Sequence, residues 1–533
     1  MTFQPLPNSI QFISNRLVEK DTFSSAEVRT IVLEAQVTAK DLLPWADFDH
    51  PLADSYGRQL VFQGPHFEIM VMSWTPGDFS GIHDHGFTSW GAVQVFGAAE
   101  HATFRVEGEE LITLARWDMD SGDVIGVNHQ LIHQMGNPTK DQNFLSLHVY
   151  GTPENQENIT GDARVFALEH PVIQRVDGGV FFALPDKDVK WTEKSPNPDF
   201  TTYIRYMVEL GKRMSKMRHS SFDSTRKKIF DLAHHSTLLE KLYEIVDEKG
   251  HIRNSIQWKI LVRELKAVAA FQEDNRVYSS ESDPFNKYAE VYDALIGQPC
   301  LTSFIAQYLK YFFEQHSIET VLSIGSGTGL SESFIIENLG VKKENLLGID
   351  ISESMVSVAQ NRIHAIHADL LQWNSNQQFD LAYSGLNVFH YMPYQEMENA
   401  VNKTAELVKN GGWFIGDFIT PDHIRWYPNL MVSGDSKVIS LRTPSLIEEH
   451  GRMFQESEII NISFQGDEMD VHYAGTHKRF LPPLHRIRKY FEKAFGGEVQ
   501  LLDAASLEPI AKTSDSCSST RYVVIAQKKD SYS

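Results

Sequence analysis

Two cysteines, Cys300 and Cys517, are all that the 533 residues contain. That scarcity argues against a secreted disulfide framework and against a thiolate metal site. Positive charge is also short: 49 Lys and Arg stand against 70 Asp and Glu, a formal net charge of −21. Gripping a phosphate backbone needs a basic face, so the balance works against nucleic acid as a partner. Two basic runs exist, Lys212 to Arg218 and Lys478 to Lys489; both lie in helical-looking segments and are expected to be solvated helix faces. No apolar run is long enough to span a bilayer, and the opening MTFQPLPNSIQF lacks the basic-then-apolar plan of a secretory leader. The expectation is a cytoplasmic chain with no membrane partner that handles small molecules. Its oligomeric state stays open.

What is present is a globular composition, 42% apolar and 22% charged, in a chain long enough for two or three domains. From Tyr56 to Leu184 short β-rich runs such as FEIMVMSW and FLSLHVYG follow one another without helices, the pattern of an antiparallel barrel. A helix over Ser25 to Leu43 precedes them. Between Asp199 and Val277 helical spacing dominates; His234 and His235, adjacent on one helix, do not face the same way and are expected to be surface or core residues. From Phe285 onward strands such as TVLSIG, NLLGID, FDLAYS and WFIGDF alternate with helices, as in a doubly wound, Rossmann-like α/β domain. The expected organisation is therefore a multidomain chain. An antiparallel β domain spans 1–195, a helical connector 196–280 and an α/β domain 281–533.

The first half carries a metal-site pattern. His83 and His85 stand two apart at a predicted strand, where alternate side chains share a face, and His133 follows downstream with Asn137 four residues on. With Gly77, Gly97 and Gly122 they match the two motifs of the cupins. Ser89 and Trp90 occupy the positions where many cupins place a glutamate, which leaves three neutral imidazoles; such a set suits iron, zinc, copper or nickel. Further residues make the segment from Tyr56 to Pro185 resemble the cysteine dioxygenases. Arg58 stands where the family holds the substrate carboxylate, Trp74 precedes the metal motif, and Ser146, His148 and Tyr150 match the family's Ser-x-His-x-Tyr relay. The resemblance implies Fe(II) held by His83, His85 and His133, substrate binding by Arg58, and catalytic roles for Tyr150, His148 and Ser146. The substrates would be a small thiol carboxylic acid, cysteine first, and dioxygen, and the product a sulfinate. No cysteine stands near Trp90, which rules out the vertebrate Cys–Tyr cross-link. After Tyr150 comes Gly-Thr-Pro where the family often has Ser-Pro-Pro.

The second half carries a nucleotide-type loop. Gly325, Gly327 and Gly329 end a strand and open a helix, which by itself would also fit a dinucleotide site. Asp350 at the end of the next strand, Asp369 in IHAD and Asn387 in the fourth-strand segment continue the series. In that order they resemble the class I methyltransferases. This implies S-adenosyl-L-methionine as cofactor, with Asp350 on the ribose, Asp369 at the adenine and Asn387 near the methionine end. Ser323 replaces the acid common before the first glycine, and His390 is expected to be a helix-start or core residue. The aromatic-rich stretch 418–495 is expected to cap the acceptor. No methyltransferase general base stands out. Together the halves point to a bifunctional enzyme of small sulfur metabolites that oxidises a thiol and methylates the product or a relative. The alternative is a methyltransferase regulated by a metal-dependent, ligand-sensing cupin, and oxygen consumption separates the two. Methyl acceptor, N- versus S-methylation, order of reactions and channelling stay open.

Overall fold

The structure, a computed structural model, describes residues 5–154, 158–184, 186–217, 235–274, 285, 289–302, 305–466, 468–514 and 517–529. His234 and all of residues 278–284 fall outside them. The chain divides into two compact units. One comprises Met1–Lys241 with Asn254–Phe271, the other Leu242–Arg253 with Gln272–Ser533. No helix among the described residues is long and apolar enough to cross a membrane.

The N-terminal unit is built on two antiparallel layers. A five-stranded sheet runs in the order Gly57–Gln63, Phe67–Trp74, Phe144–Gly151, Trp90–Phe96, Val124–Val127. Its central strands are buried on both faces, and the alternation of side chains sorts them. Phe67, Ile69, Val71, Leu145, Leu147 and Val149 pack against the N-terminal helices. Met70, Met72, Trp74, Phe144 and Tyr150 belong to the interior cluster. The expected helix over Ser25 to Leu43 is two, Ser25–Glu34 and Ala39–Leu42; a capping box of Ser24 and Glu27 starts the first. An earlier helix, Asn8–Leu17, joins them on the sheet.

The second layer contains Ile82–His83 between Ala163–Ala167 and Ile132–Gly136, with Ala99–Glu107 and Glu110–Met119 beyond. Its outer face is covered by part of the segment read as a connector. Helix Phe200–Lys216 and residues 255–271 of helix Ser255–Asp274 belong to this unit. They dock through buried charge: Arg116 bonds Glu100 at 2.9 Å and Glu264 at 2.8 Å, and Arg205 bonds Glu209 at 2.6 Å and also Glu100. The basic run from Lys212 is not the solvated face expected of it. Arg213 is buried and donates to the Leu52 carbonyl, while Lys216 bonds Asp78 at 2.5 Å.

The C-terminal unit holds a seven-stranded sheet in the order His364–His367, Leu346–Asp350, Val321–Ile324, Phe379–Ser384, Val408–Ile419, Arg521–Lys528, Gly496–Asp503. The first five strands are parallel and the last two pairings antiparallel. Apolar clusters cover both faces, one around Phe389, Phe414 and Phe491, the other around Leu309, Ile335 and Ile415. Residues 430–480 form a separate antiparallel sheet of four strands, Leu430–Val432, Val438–Glu449, Arg452–Gln465 and Glu468–Phe480.

Candidate functional site

Strand pairing assembles the three histidines. His83 and His133 face each other directly in register, and His85 lies just past the strand end. Ligand-capable atoms of His83, His85 and His133 all lie within 4.8 Å of one another. His83 Nδ1 sits 2.8 Å from the Gly81 carbonyl, which can only accept, so Nδ1 carries the proton and the Nε2 lone pair is free. That Nε2 lies 3.1 Å from His133 Nε2, so the two rings converge on one point. Neither ring nitrogen of the buried His85 has a hydrogen-bond partner. Burial holds His83 down to about 4 and drives His85 and His133 well below the ordinary histidine range. Three buried, neutral, convergent imidazoles with unsatisfied nitrogens fit a metal ion and fit little else.

A hydrogen-bonded chain ends in the same interior. Trp74 Nε1 donates to Ser146 Oγ at 2.8 Å, Ser146 Oγ is 2.7 Å from His148 Nε2, and His148 Nδ1 is 2.7 Å from Tyr150 Oη. An indole N–H only donates, so the buried Ser146 hydroxyl gives its own proton to His148 Nε2. His148, held neutral by burial that lowers it to about 3, then donates from Nδ1 to Tyr150. The Tyr150 proton is thereby left for a partner in the cavity. Burial pushes that phenol far above its usual range, so it remains a donor. The cavity is lined by Arg58, Met70, His83, His85 and Tyr150 among others. Arg58 donates to Thr160 Oγ1 at 3.1 Å.

In the C-terminal unit Gly325, Gly327 and Gly329 all have positive φ, 69°, 53° and 76°, which favours glycine at each position. Asp350 Oδ2 accepts from the Gly327 N–H at 2.8 Å and Oδ1 from the Ser352 N–H at 2.9 Å, tying the loop to the second strand. Residues 5–159 match the family model of cysteine dioxygenase type I, and residues 321–412 match that of a methyltransferase domain. The chain is an enzyme with a cysteine dioxygenase-type domain and a methyltransferase domain.

Among solved structures, the methyltransferase half is similar to an S-adenosylmethionine-dependent methyltransferase from Clostridium acetobutylicum ATCC 824. Identity is 18%, covering 46% of this chain and 99% of that one, with a TM-score of 0.37. The sugar N-methyltransferase KedS8 from Streptoalloteichus sp ATCC 53650 is 15% identical over 48% and 97%, TM-score 0.37. The CcbJ methyltransferase from Streptomyces caelestis is 16% identical over 48% and 100%, TM-score 0.37.

In the dioxygenase domain the sequence-predicted residues Arg58, His83, His85 and Tyr150 line one cavity; His133 closes the histidine cluster, and Ser146 and His148 stand behind Tyr150. Sequence reasoning missed His101. Its Nε2 lies 2.7 Å from His133 Nδ1, and burial holds the ring near 3, so it stays neutral and holds the His133 ring in place. A lone histidine in a strand gives no signal of this. The glycine after Tyr150 has a packing cause: a Cβ at Gly151 would lie 2.1 Å from the Trp90 ring.

In the methyltransferase domain Asp369 caps the turn after its strand by accepting from the Leu371 N–H at 3.0 Å. Asn387 adopts a left-handed backbone and its buried Oδ1 has no partner. His390 is structural: Nδ1 donates to the Phe480 carbonyl at 2.6 Å and Nε2 accepts from the Ile419 N–H at 3.0 Å. Glu332 was overlooked. Ser323 Oγ donates to Glu332 Oε1 at 2.6 Å, so helix Leu330–Leu339 returns a carboxylate to the place where Ser323 removed one. Glu332 Oε2 is buried without a partner, and burial raises the carboxyl to about 7. In the sequence it reads as an ordinary acid of a helix's first turn.

Proposed function

We propose that the dioxygenase domain converts a small thiol carboxylic acid, cysteine first, to its sulfinate, and that the methyltransferase domain methylates that product or a close relative. The observation that carries the first step is the shared cavity: Arg58, His83, His85 and Tyr150 line one space. Fe(II) held by His83, His85 and His133 would supply the centre at which thiolate and dioxygen meet. Arg58 binds the carboxylate as a charge-assisted fork, which sets the thiol end toward the histidines. Tyr150, its proton directed into the cavity by Trp74, Ser146 and His148, hydrogen-bonds the reacting oxygen. One thiol and one O₂ balance as one sulfinic acid, so no further oxidant or reductant is needed. The ordered relay favours catalysis over ligand sensing, since a sensor needs no proton path. Oxygen-electrode assays over a panel of thiols test this, and no uptake with any iron-loaded thiol pair would refute it.

Arg58→Ala is expected to raise the KM for cysteine by about 10- to 100-fold, the worth of a hydrogen bond to a charged group. Cysteamine, which lacks the carboxylate, should respond by less than threefold. An equal response of the two thiols would remove the carboxylate role.

In the second domain S-adenosyl-L-methionine would supply the electrophilic methyl group. Gly325, Gly327 and Gly329 let it approach the helix start, Asp350 takes the ribose hydroxyls, Asp369 reads the adenine, and Asn387 and Glu332 meet the methionine end. Asp350→Ala is expected to weaken S-adenosylmethionine binding by about 1.5–3 kcal/mol, read by calorimetry, with oxygen uptake unchanged. Undiminished affinity would place the ribose elsewhere.

A further inference from the structure

The four-stranded sheet of the methyltransferase domain is buried on two chemically opposite faces. Leu441, Ile460, Ile462 and Val471 supply an apolar one. On the other, register places Gln455 opposite Arg479, Ser457 opposite His477 and Ile459 opposite Arg442, with Asn461 two residues further on the same face. Arg442, Gln455, Asn461 and Arg479 are all buried, none more than 9% exposed. Neither amide atom of Gln455 nor of Asn461 has a hydrogen-bond partner, and nor does Arg479 Nε. Buried polar groups in a folded core are bonded, so this face is arranged to meet something other than protein.

Charge says what. Arg479, read from sequence as part of a solvated helix face, lies on the strand Glu468–Phe480 and turns inward. It donates to Tyr391 Oη at 2.5 Å and lies 4.8 Å from the Tyr391 ring and 5.4 Å from the Tyr427 ring, and it forms no ion pair among the described residues. Arg442 lies 5.3 Å from the same Tyr427 ring. Burial alone would raise the Tyr427 phenol, yet Arg479 and Arg442 outweigh it and lower it. The local field is positive and phenols are its neighbours. Tyr391 ends the short helix after the fourth parallel strand, and Tyr427 follows the turn after the fifth. Ligands of open α/β sheets gather beyond those carboxyl ends.

We propose that this polar face holds the methyl acceptor, and that the acceptor is a small anion whose carboxylate or sulfinate is gripped by Arg479, with the Gln455 and Asn461 amides bonding its other polar groups. The assignment rests on the methyl-transfer reading above. It is tested by calorimetry on the full chain in an Arg58→Ala background, which removes the carboxylate contact of the dioxygenase domain. The chain is loaded with S-adenosylhomocysteine and titrated with L-cysteine sulfinate. Arg479→Gln is expected to weaken the sulfinate at least tenfold while S-adenosylhomocysteine stays within twofold, and Arg479→Lys to recover part of the loss. Gln455→Leu, a milder change, should cost several-fold and decides the matter where Arg479→Gln fails to fold. Cysteine sulfinate binding that is absent, or indifferent to both substitutions, overturns the proposal. S-adenosylhomocysteine failing to bind at all instead overturns the methyl-transfer reading.

Discussion

His133→Ala is expected to reduce bound iron from about one per chain to under a tenth and to bring oxygen uptake to background. His133 faces His83 in register, and its removal leaves two imidazoles where three converge. No carboxylate belongs to the cluster, so nothing replaces the lost ligand. The cavity left behind sits in a core position, so a modest fall in melting temperature should accompany the loss. Affinity for S-adenosylhomocysteine, bound in the other unit, should not change and serves as the control for folding. Elemental analysis decides: retained iron would refute the ligand assignment. His101→Phe should fall between, losing about 10- to 100-fold in metal affinity, as removal of a group that orients a metal-bound histidine typically does.

The second large effect is on stability. Glu100→Ala is expected to destabilise the N-terminal unit by about 3 kcal/mol, the low end of the cost of removing one partner from a buried charge pair. Glu100 bonds Arg116 at 2.9 Å and Arg263 at 2.7 Å, and also Arg205, so one substitution takes a shared carboxylate from three guanidiniums, of which Arg116 and Arg205 keep Glu209 and Glu264 and Arg263 keeps Asp118. Burial alone would raise this carboxyl, but Arg205, Arg116 and Arg263 bring it down to about 2. Because the folded value lies below the unfolded one, the contribution is present above the ordinary carboxylate range and lost as pH falls from about 4.5 toward 2. Urea unfolding at neutral pH and along that acid range measures both. A Glu100→Ala midpoint equal to the wild type would mean that the network adds nothing net to stability.

The clustering of three histidines was legible because strand alternation places residues two apart on one side, and His83 and His85 obey it closely enough to converge with His133. The parallel sheet was legible from its repeating strand–helix rhythm. The helices after Asp199 were visible by period, but their partner was not. Arg205, Glu209 and Glu264 look like solvent-facing charges, and only the strands bearing Glu100 and Arg116 reveal that they are paired and buried. Lys478 to Lys489 misled for the same reason. Leucines and arginines at mixed spacing suggested a helix throughout, whereas Lys478 and Arg479 end a strand and the helix begins at Leu484. His101 and Glu332 were silent, since a contact between residues far apart in sequence leaves no local trace.

The division of the chain bears on how the gene can be cut. Residues 242–253 belong to the methyltransferase unit and 254–271 to the dioxygenase unit, so the two are interleaved along the polypeptide. No single break yields two whole halves. A fragment ending at 195 lacks both docking helices, and one ending at 241 keeps Arg205 but lacks Arg263 and Glu264, partners of Glu100 and Arg116. During synthesis the barrel's last partners emerge only after the first segment of the other unit has been made. Expression of the first domain alone therefore requires carrying the chain through Phe271, and transplanting either domain requires moving the crossing segments together.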